Sequence, residues 1–171
     1  MTGELANGGL GTSFMPEQAD IFLEPLLRGL AKSGRTLADI DVQVGGSLEI
    51  DDDVERLIEA RRPAMAFTLG GMGSAKTNFY NDAFKRAGYA EAAEAVQALW
   101  VSGDKAAAIR AVPDEMVLKT NLIGTREMIV ERIKAYAAAG VTTLRISTSG
   151  QNWRERTETL AEATDLIHSI Q

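Results

Sequence analysis

The sequence predicts an α/β fold built on parallel strands, and three observations support this prediction. Three segments with strand character alternate with segments whose apolar residues recur at helical spacing. Strands that alternate with helices are joined by right-handed crossovers and therefore run parallel. The chain has 171 residues, of which 45% are hydrophobic, and this is enough for one domain with a proper core.

The three predicted strands leave a sheet that is open at both ends. Residues 8–14 form a short, glycine-rich strand, residues 41–50 alternate apolar and polar side chains, and residues 141–148 are rich in β-branched residues. A three-stranded parallel sheet exposes two edges with unpaired backbone groups. We therefore expect more polypeptide to complete it, either a missing N-terminal half or a second copy in a homo-oligomer.

Four helices are predicted to flank these strands. They cover residues 16–32, from Asp51 to about Leu69, 125–139 and roughly 153–170. In the last helix the spacing of four apolar residues predicts that they face inward. These are Trp153, Leu160, Ile167 and Ile170.

The stretch from 75 to 123 differs from a simple connection. It is predicted to be helical throughout, in short pieces that break near Gly88, Gly103 and Pro113. Because it is too long for a loop, we interpret it as a helical insertion between a strand and the next helix.

Composition and charge exclude several classes of partner and site. The net charge of −6 argues against nucleic acid and gives no polybasic patch for a membrane. With no cysteine and only His168 as an imidazole, we predict no disulfide, no thiol nucleophile and no metal site. The chain has no apolar run long enough to span a bilayer and no signal-peptide pattern at its start, so a cytoplasmic protein is expected.

A glycine-rich segment between two predicted helices is the first candidate binding site. Glycines let a backbone approach a ligand closely, and a following helix N-terminus presents free amides to an anion. A phosphate or carboxylate of a cofactor tail or of a substrate is the candidate ligand there, and a glycine-capped turn between helices is the alternative. The candidate residues are Gly70, Gly71, Met72, Gly73 and Ser74.

Polar residues just after this segment are candidates for substrate contact. Asn78 and Tyr80 can hydrogen-bond a polar substrate, and Asn78 shares a helix face with Asn81. The alternative is ordinary helix capping by asparagine.

Arg62, further upstream, is predicted to lie on a solvated face.

Seven segments along the chain carry a likeness to one known family. They include LGTSFMPE at 10–17 and RPAMAFTLGGMG at 62–73, and the block from Gly70 to Tyr89 is the most specific. The others are residues 78–82, 86–89, 112–115, 122–125 and 139–144. Together they resemble the luciferase-like monooxygenase superfamily, and most closely its deazaflavin (coenzyme F420)-dependent branch, which includes methylenetetrahydromethanopterin reductase-like proteins.

The resemblance implies a (βα)8 TIM barrel of about twice this length. Residues 1–171 would then be a partial barrel, its C-terminal part, with the last three strands, their helices and the helical insertion at about 75–123. The implied activity is hydride transfer between F420, or alternatively FMN, and a small organic substrate. The family's N-terminal half usually carries the acid–base residue, so this chain alone is expected to lack a complete active site, and its catalytic residue is not assigned.

The strand ends supply the remaining candidates. Barrels of this type place their active sites at the C-terminal ends of the strands. Arg145 in the third strand and Asn152 in the polar loop after it are therefore candidate substrate contacts, with a structural ion pair as the alternative for Arg145. Ser13, Phe14, Glu49 and Asp51 are also expected to point toward the barrel mouth.

Two hypotheses of different class follow from this sequence. The first is a part of a flavin- or deazaflavin-dependent oxidoreductase. The second is a non-catalytic, truncated half-barrel that self-associates and serves as an interaction or scaffold domain. Cofactor binding and the state of association distinguish the two.

Overall fold

The computed structural model of the chain consists of two compact units. One unit comprises Met1–Asp52 and Lys119–Gln171, and the other comprises Asp53–Leu118. The residues described are 1–11, 13–74, 76–148, 150 and 152–170. We call the first the sheet unit and the second the helical unit.

The sheet unit holds every strand found in the described part of the chain, and all pairings are parallel. The strands are β1 (Gly8–Gly11), β2 (Asp41–Ile50), β3 (Leu122–Gly124) and β4 (Thr143–Thr148). Residues 43 and 44 of β2 pair with both β1 and β4, so these two strands lie on opposite edges of β2. Leu48 pairs with both β3 and β4, so β3 follows β1 along the same edge. The predicted α/β class with a parallel sheet is confirmed.

Helices cover one face of this sheet. They are α1 (Thr2–Leu5), α2 (Asp20–Lys32), α8 (Arg126–Ala138) and α9 (Trp153–Ile170), with short 3-10 turns at Pro16–Gln18 and Leu37–Asp39. Alternate residues of β2, such as Val44 and Leu48, point to this side and are buried. They pack with Ile129, Ile133 and Tyr136 of α8 into the main core of the unit.

The other face of the sheet, which we call the open face, carries small and polar side chains. It contains the odd-numbered residues of β2 and β4, because successive side chains of a strand point to opposite faces. Leu10, Gly45, Arg145 and Ser147 on this face are exposed. A parallel sheet normally has both faces covered, so this face marks the side that a barrel would enclose.

The helical unit contains five helices among the residues described. They are α3 (Val54–Gly70), α4 (Phe79–Phe84), α5 (Ala90–Val101), α6 (Lys105–Arg110) and α7 (Asp114–Lys119), whose last residue belongs to the sheet unit. A wide turn at Lys85–Tyr89 separates α4 from α5, with Gly88 at φ 90°. Gly103, at φ 93°, separates α5 from α6. The predicted breaks near Gly88, Gly103 and Pro113 are confirmed.

Some predicted elements were wrong in extent. Residues 122 and 123, predicted as the end of the helical stretch, belong to β3, because a strand of three residues is too short to show a strand period. The first strand stops at Gly11 rather than at residue 14, and the helix predicted from residue 16 begins as a 3-10 turn.

The last helix was predicted with the correct bounds and partly the wrong inner face. Ile167 and Ile170 pack against the core, as expected. Trp153 is 80% exposed and Leu160 is 47% exposed, so the prediction that they face inward was wrong. Helical spacing identified an apolar face, but it could not show that neighbours cover only part of that face.

Candidate functional site

The glycine-rich turn after α3 is closed on itself by its own hydrogen bonds. The amides of Gly71 and Met72 both donate to the carbonyl oxygen of Phe67, at 2.6 and 3.1 Å, and the amide of Gly73 donates to Gly71 at 3.1 Å. These amides are engaged within the turn rather than directed at a ligand. The six-residue helix α4 that follows is capped by Asn78.

Two glycines of this turn lie where helices approach closely. A Cβ on Gly70 would be 2.3 Å from the Cβ of Trp100, and one on Gly71 would be 2.6 Å from the ring of Phe67. Only glycine allows α3 and α5 to pack this tightly, with the Phe67 and Trp100 rings in edge contact at 5.8 Å. Packing alone therefore explains why residues 70 and 71 are glycines, without a bound ligand.

The outer part of the turn is accessible. Met72, Gly73 and Ser74 are exposed, and Gly73 adopts φ 116°, which favours glycine. The hydroxyl of Ser74 lies 2.7 Å from that of Thr77 and accepts a hydrogen bond from the amide of Lys76 at 3.2 Å. Of the five candidate cofactor contacts, these three are the ones a ligand can reach.

Asn78 is almost fully buried and acts as a structural connector. It is 2% exposed, and its side-chain oxygen caps α4 by accepting from the amide of Asn81 at 3.0 Å. Its side-chain nitrogen donates to the carbonyls of Thr68 at 3.2 Å and Leu69 at 2.8 Å. The capping alternative is thus present in the structure, and the substrate contact stays a prediction.

Tyr80, the other candidate on α4, is half-buried. Its ring meets the exposed ring of Phe79 at 5.9 Å in a T-shaped contact. Because Asn78 fixes the start of α4, it also fixes the position of Tyr80. A substrate contact by the Tyr80 hydroxyl remains a prediction.

The sequence analysis did not identify the structural roles of Asn81 and Arg62, whose buried side chains link segments of the helical unit. Asn81 is 1% exposed and donates to the carbonyls of Leu69 and Ala93, at 2.9 and 2.7 Å. Its side-chain oxygen is buried without a hydrogen-bond partner among the described residues. The Asn-x-x-Asn spacing was the available signal, since the first residue caps the helix and the second faces the same side.

The prediction that Arg62 lies on a solvated face was wrong. Its side chain is 13% exposed, donates to Glu59 at 2.7 Å, and bonds the carbonyl of Val112 and the carboxylate of Asp114. Burial acts to lower the pKa of Arg62, but the hydrogen bonds and charges of Glu59 and Asp114 outweigh it and hold the pKa above its ordinary value. The arginine thus ties α3 to the start of α7.

Arg145 lies in the sheet unit, on the open face of β4, and its side chain is exposed. It pairs with Gly45, where a Cβ would lie 2.6 Å from the carbonyl oxygen of Arg145. Within the described residues its guanidinium forms no ion pair and no hydrogen bond. The alternative of a structural ion pair is therefore not formed there.

Asn152 caps the last helix. Its side-chain oxygen accepts from the amide of Glu155 at 3.1 Å, and its nitrogen donates to the Glu155 carboxylate at 2.8 Å. Both polar atoms of the amide are therefore engaged in the first turn of α9. Ser149 and Gln151, which belong to the predicted polar loop, lie outside the described residues.

The remaining residues expected at the barrel mouth separate into two groups. Phe14 is buried in the core against Phe22 and Tyr136, so the prediction that it points to the mouth was wrong. Ser13 is half-buried at φ 55°, an uncommon conformation for a residue other than glycine. Glu49 and Asp51 are half-buried at the C-terminal end of β2 and engage in contacts there.

The opposite end of the sheet carries a carboxylate in a purely structural role. The hydroxyls of Thr142 and Thr143 and the amide of Gln43 all donate to Asp41, which links β2 to β4. The hydrogen bond from Thr142 is the largest cause that lowers the pKa of Asp41, and those from Gln43 and Thr143 add to it. In barrels this end of the strands serves stability rather than chemistry.

Among the residues that the structure describes, no helix is long and apolar enough to cross a membrane. No group of three or more histidine, cysteine, aspartate or glutamate side chains in that part of the chain is placed to hold a metal ion.

The sequence model of the luciferase-like monooxygenase family matches residues 1–143. The chain belongs to this family. The resemblance carried by the seven sequence segments is thereby confirmed.

Curated relatives of this luciferase-like chain are named for F420 or for a methanopterin substrate. A protein of Mycobacterium tuberculosis named as a coenzyme F420-dependent oxidoreductase is 30% identical over 149 residues, which cover 86% of this chain and 43% of that protein. The 5,10-methylenetetrahydromethanopterin reductase of Archaeoglobus fulgidus is 28% identical over 83% of this chain and 42% of that protein. The luciferase-like chain therefore spans about two fifths of the length of these relatives.

Solved structures agree with this placement. The coenzyme F420-dependent tetrahydromethanopterin reductase of Methanopyrus kandleri superposes with a TM-score of 0.73 at 26% identity, covering 99% of this chain and 47% of that one. An F420-dependent secondary alcohol dehydrogenase superposes with a TM-score of 0.63 at 11% identity, which shows likeness of fold alone. The luciferase-like chain is thus a partial barrel of the type found in the reductase.

Proposed function

We propose that this chain is part of a coenzyme F420-dependent oxidoreductase that transfers hydride between the cofactor and a small organic substrate. The observation that carries the proposal is the likeness, over nearly the whole chain, to a reductase named for F420. The relative from Mycobacterium tuberculosis, also named for F420, favours this cofactor over FMN. FMN is the alternative cofactor and is tested in the same titration.

The open face of the sheet supplies a donor set that fits a polar, anionic ligand. Arg145 is followed on the same face of its strand by the hydroxyl residue Ser147, and Gly45 beside it leaves space above the sheet. A guanidinium and a hydroxyl group together suit a carboxylate or phosphate. When bound, F420 supplies the hydride chemistry, and the protein supplies binding and orientation.

Arg145 is the residue in the sheet unit with the strongest reason to bind the ligand. A cation that becomes enclosed in a barrel without a counter-charge is strongly unfavourable. Since no carboxylate of the described residues pairs with Arg145, an anionic group of the substrate or cofactor is the natural partner. Asn152 would contribute by fixing the start of α9, and a direct substrate contact by its amide requires the cap to open.

The helical unit contributes its own candidate contacts. We propose that Met72, Gly73 and Ser74 contact the cofactor and that Tyr80 contacts the substrate. Gly70, Gly71 and Asn78 then act by holding these residues in place, through the contacts with Trp100 and Leu69.

Fluorescence titration of F420 with the purified chain tests the proposal. We expect saturable binding, weakened about tenfold in Arg145→Gln, because a charge-assisted hydrogen bond contributes about 1.5–3 kcal/mol. Arg154→Gln is the matched control, since Arg154 is an exposed arginine of the same unit that lies on α9 beside Glu158. The absence of binding of both F420 and FMN at millimolar concentration would overturn the proposal.

The second candidate function is a non-catalytic half-barrel that acts as a self-associating scaffold. The exposed strand edges and the exposed apolar residues of α9 favour it. A chain that associates stably and binds neither cofactor would support this candidate. A monomeric chain that binds F420 would exclude it.

A further inference from the structure

An apolar groove lies beside β1 in the sheet unit. Its volume is about 390 Å³, and it runs between α1 on one side and α2 on the other. Phe22 and Leu26 of α2 form one wall, and Val42 and Val44 of β2 form the floor. The groove is therefore lined by side chains that normally lie in a core.

The groove reaches β2 because β1 has no side chains on that side. Gly9 and Gly11 pair with Val42 and Val44 and so point toward the helix-covered face. A Cβ on Gly9 would meet no heavy atom of the described residues closer than 3.5 Å, so packing within that part of the chain does not require glycine there. Glycine inside a strand often marks the close approach of another group, and here the space beside it is apolar and unfilled.

The other end of the sheet presents the complementary shape. The outer edge of β4 has no strand against it among the described residues. Beside it, α9 exposes Trp153 at 80% and Leu160 at 47%, two turns apart on one helix face. Single exposed apolar residues are common, but an exposed tryptophan in line with a leucine at an open edge marks an interaction surface.

We propose that two copies of this chain associate head to tail. The β4 edge and α9 of each copy lie against the β1 edge and the groove of the other. The two surfaces belong to opposite ends of one sheet, so each contact joins two different surfaces, and a half-turn that closes the pair forms this contact twice. An axis parallel to the strands keeps every strand parallel and turns the open faces inward.

The length of the relatives supports a second copy as the occupant. This chain covers 47% of the Methanopyrus kandleri reductase, so two copies together amount to nearly one such chain. Each copy offers one apolar groove and one apolar helix face, so the pair satisfies both without a further protein. The proposal deepens the self-association given as the second candidate function and rests on it, but it does not depend on the binding of F420.

Sedimentation velocity and light scattering test the association. We expect the chain to have twice its monomer mass of 18.4 kDa. Leu160→Glu places a charge on the helix face, and Gly9→Leu fills the groove, so each should give a monomer. Leu27→Glu is the matched control, because Leu27 is exposed on α2, at 46%, but does not line the groove.

Circular dichroism shows whether the two variants are still folded. Both must retain the helical signal and a cooperative thermal transition. A wild-type chain that stays monomeric at hundreds of micromolar would overturn the proposal. A dimer that persists in both variants would overturn it too, because another surface would then hold the copies together.

Cross-linking tests the head-to-tail direction. The chain has no cysteine, so Thr2→Cys beside the groove and Leu160→Cys on α9, which lie on the same side of the sheet, each introduce a unique thiol. With a flexible bis-maleimide, we expect a cross-linked dimer from the mixture of the two variants and not from either alone. Cross-linking of each variant with itself would show a symmetric contact and overturn the head-to-tail arrangement. Neither assay uses a cofactor, so failure of F420 binding leaves both results unaffected.

Discussion

The helical unit and the sheet unit use their polar side chains in opposite ways. In the helical unit the side chains of Asn78, Asn81 and Arg62 are buried and are bonded mainly to backbone carbonyls and nearby carboxylates. In the sheet unit Arg145 faces outward from a strand without a partner in the described chain. Polar groups that are already engaged serve architecture, whereas a free cation on a sheet face is available to a ligand.

Glycines show the same contrast. Gly70 is fixed by the contact of α3 with Trp100, so its lack of a side chain serves packing. Gly9 faces unfilled apolar space, and in the proposed dimer its lack of a side chain leaves room for the second copy. Variants that separate stability from binding therefore test the comparison directly.

Gly70→Ala should have the largest effect on stability. The added methyl group would meet the Trp100 Cβ at 2.3 Å, and overpacking of this kind costs about 3 kcal/mol. Urea denaturation measures the loss. Gly103→Ala is the matched control, because it has φ 93° and open space around it, so only backbone strain of about 1 kcal/mol applies. Equal losses in the two variants would contradict the packing role of Gly70.

Asn81→Ala should destabilise the chain by about 2 kcal/mol, because it removes two buried hydrogen bonds, the side-chain donor to the Ala93 carbonyl and the second side-chain donor to the Leu69 carbonyl. Asn152→Ala removes an exposed helix cap and should cost about 1 kcal/mol. Thermal unfolding followed by circular dichroism gives both values. If the Asn152 variant is the less stable of the two, the helical unit does not depend on its buried amides as we describe.

Asp41→Asn should change how stability depends on pH. The folded-state pKa of Asp41 lies below its ordinary value of 3.8, so its contribution is present above that value and is lost as pH falls through the folded pKa. The wild-type melting temperature should therefore drop below about pH 4 more steeply than that of the variant. Melting curves from pH 7 to pH 2.5 measure this, and parallel curves would rule out the role assigned to the Thr142 hydrogen bond.

Arg145→Gln should have the smallest effect on stability, within about 0.5 kcal/mol, because no interaction of the described chain is lost. Arg62→Gln is the comparison, and it should cost about 2 kcal/mol through the carbonyl of Val112 and the carboxylates it leaves unpaired. Denaturant titrations of both variants measure the difference. A large loss in the Arg145 variant would show that this cation has a structural partner after all.

Elements with a long and regular pattern could be predicted from the sequence. The bounds of β2 and α9 agree with the prediction, because ten alternating residues and eighteen helical residues show their period clearly. β3 was not predicted from the sequence, because a strand of three residues shows no period. Its position in the sheet depends on its pairing with β2. The breaks at Gly88 and Gly103 were found because glycine marks a positive φ without help from distant contacts.

The site could be predicted only in part, for a physical reason. The sequence showed that Asn78, Asn152 and the glycines can either cap and turn the chain or bind a ligand, and tertiary contacts decide between these roles. Trp100 fills the space beside Gly70, a contact between residues thirty positions apart that no local pattern contains. The isolation of Arg145 likewise depends on the register that places Gly45 beside it.

The pairing of β2 with β4 has a consequence for how the chain is made. The amide of Val42 bonds the hydroxyl of Thr142, a hundred residues away, whereas the contacts of the helical unit fall within one continuous segment. Contacts between distant residues form slowly, because a long loop must first close. During synthesis, all residues of the helical unit have emerged before β4, the last strand that pairs with β2, is made. A nascent chain that is stopped before residue 143 should therefore already protect the helical unit from proteases and leave the sheet unit open to them.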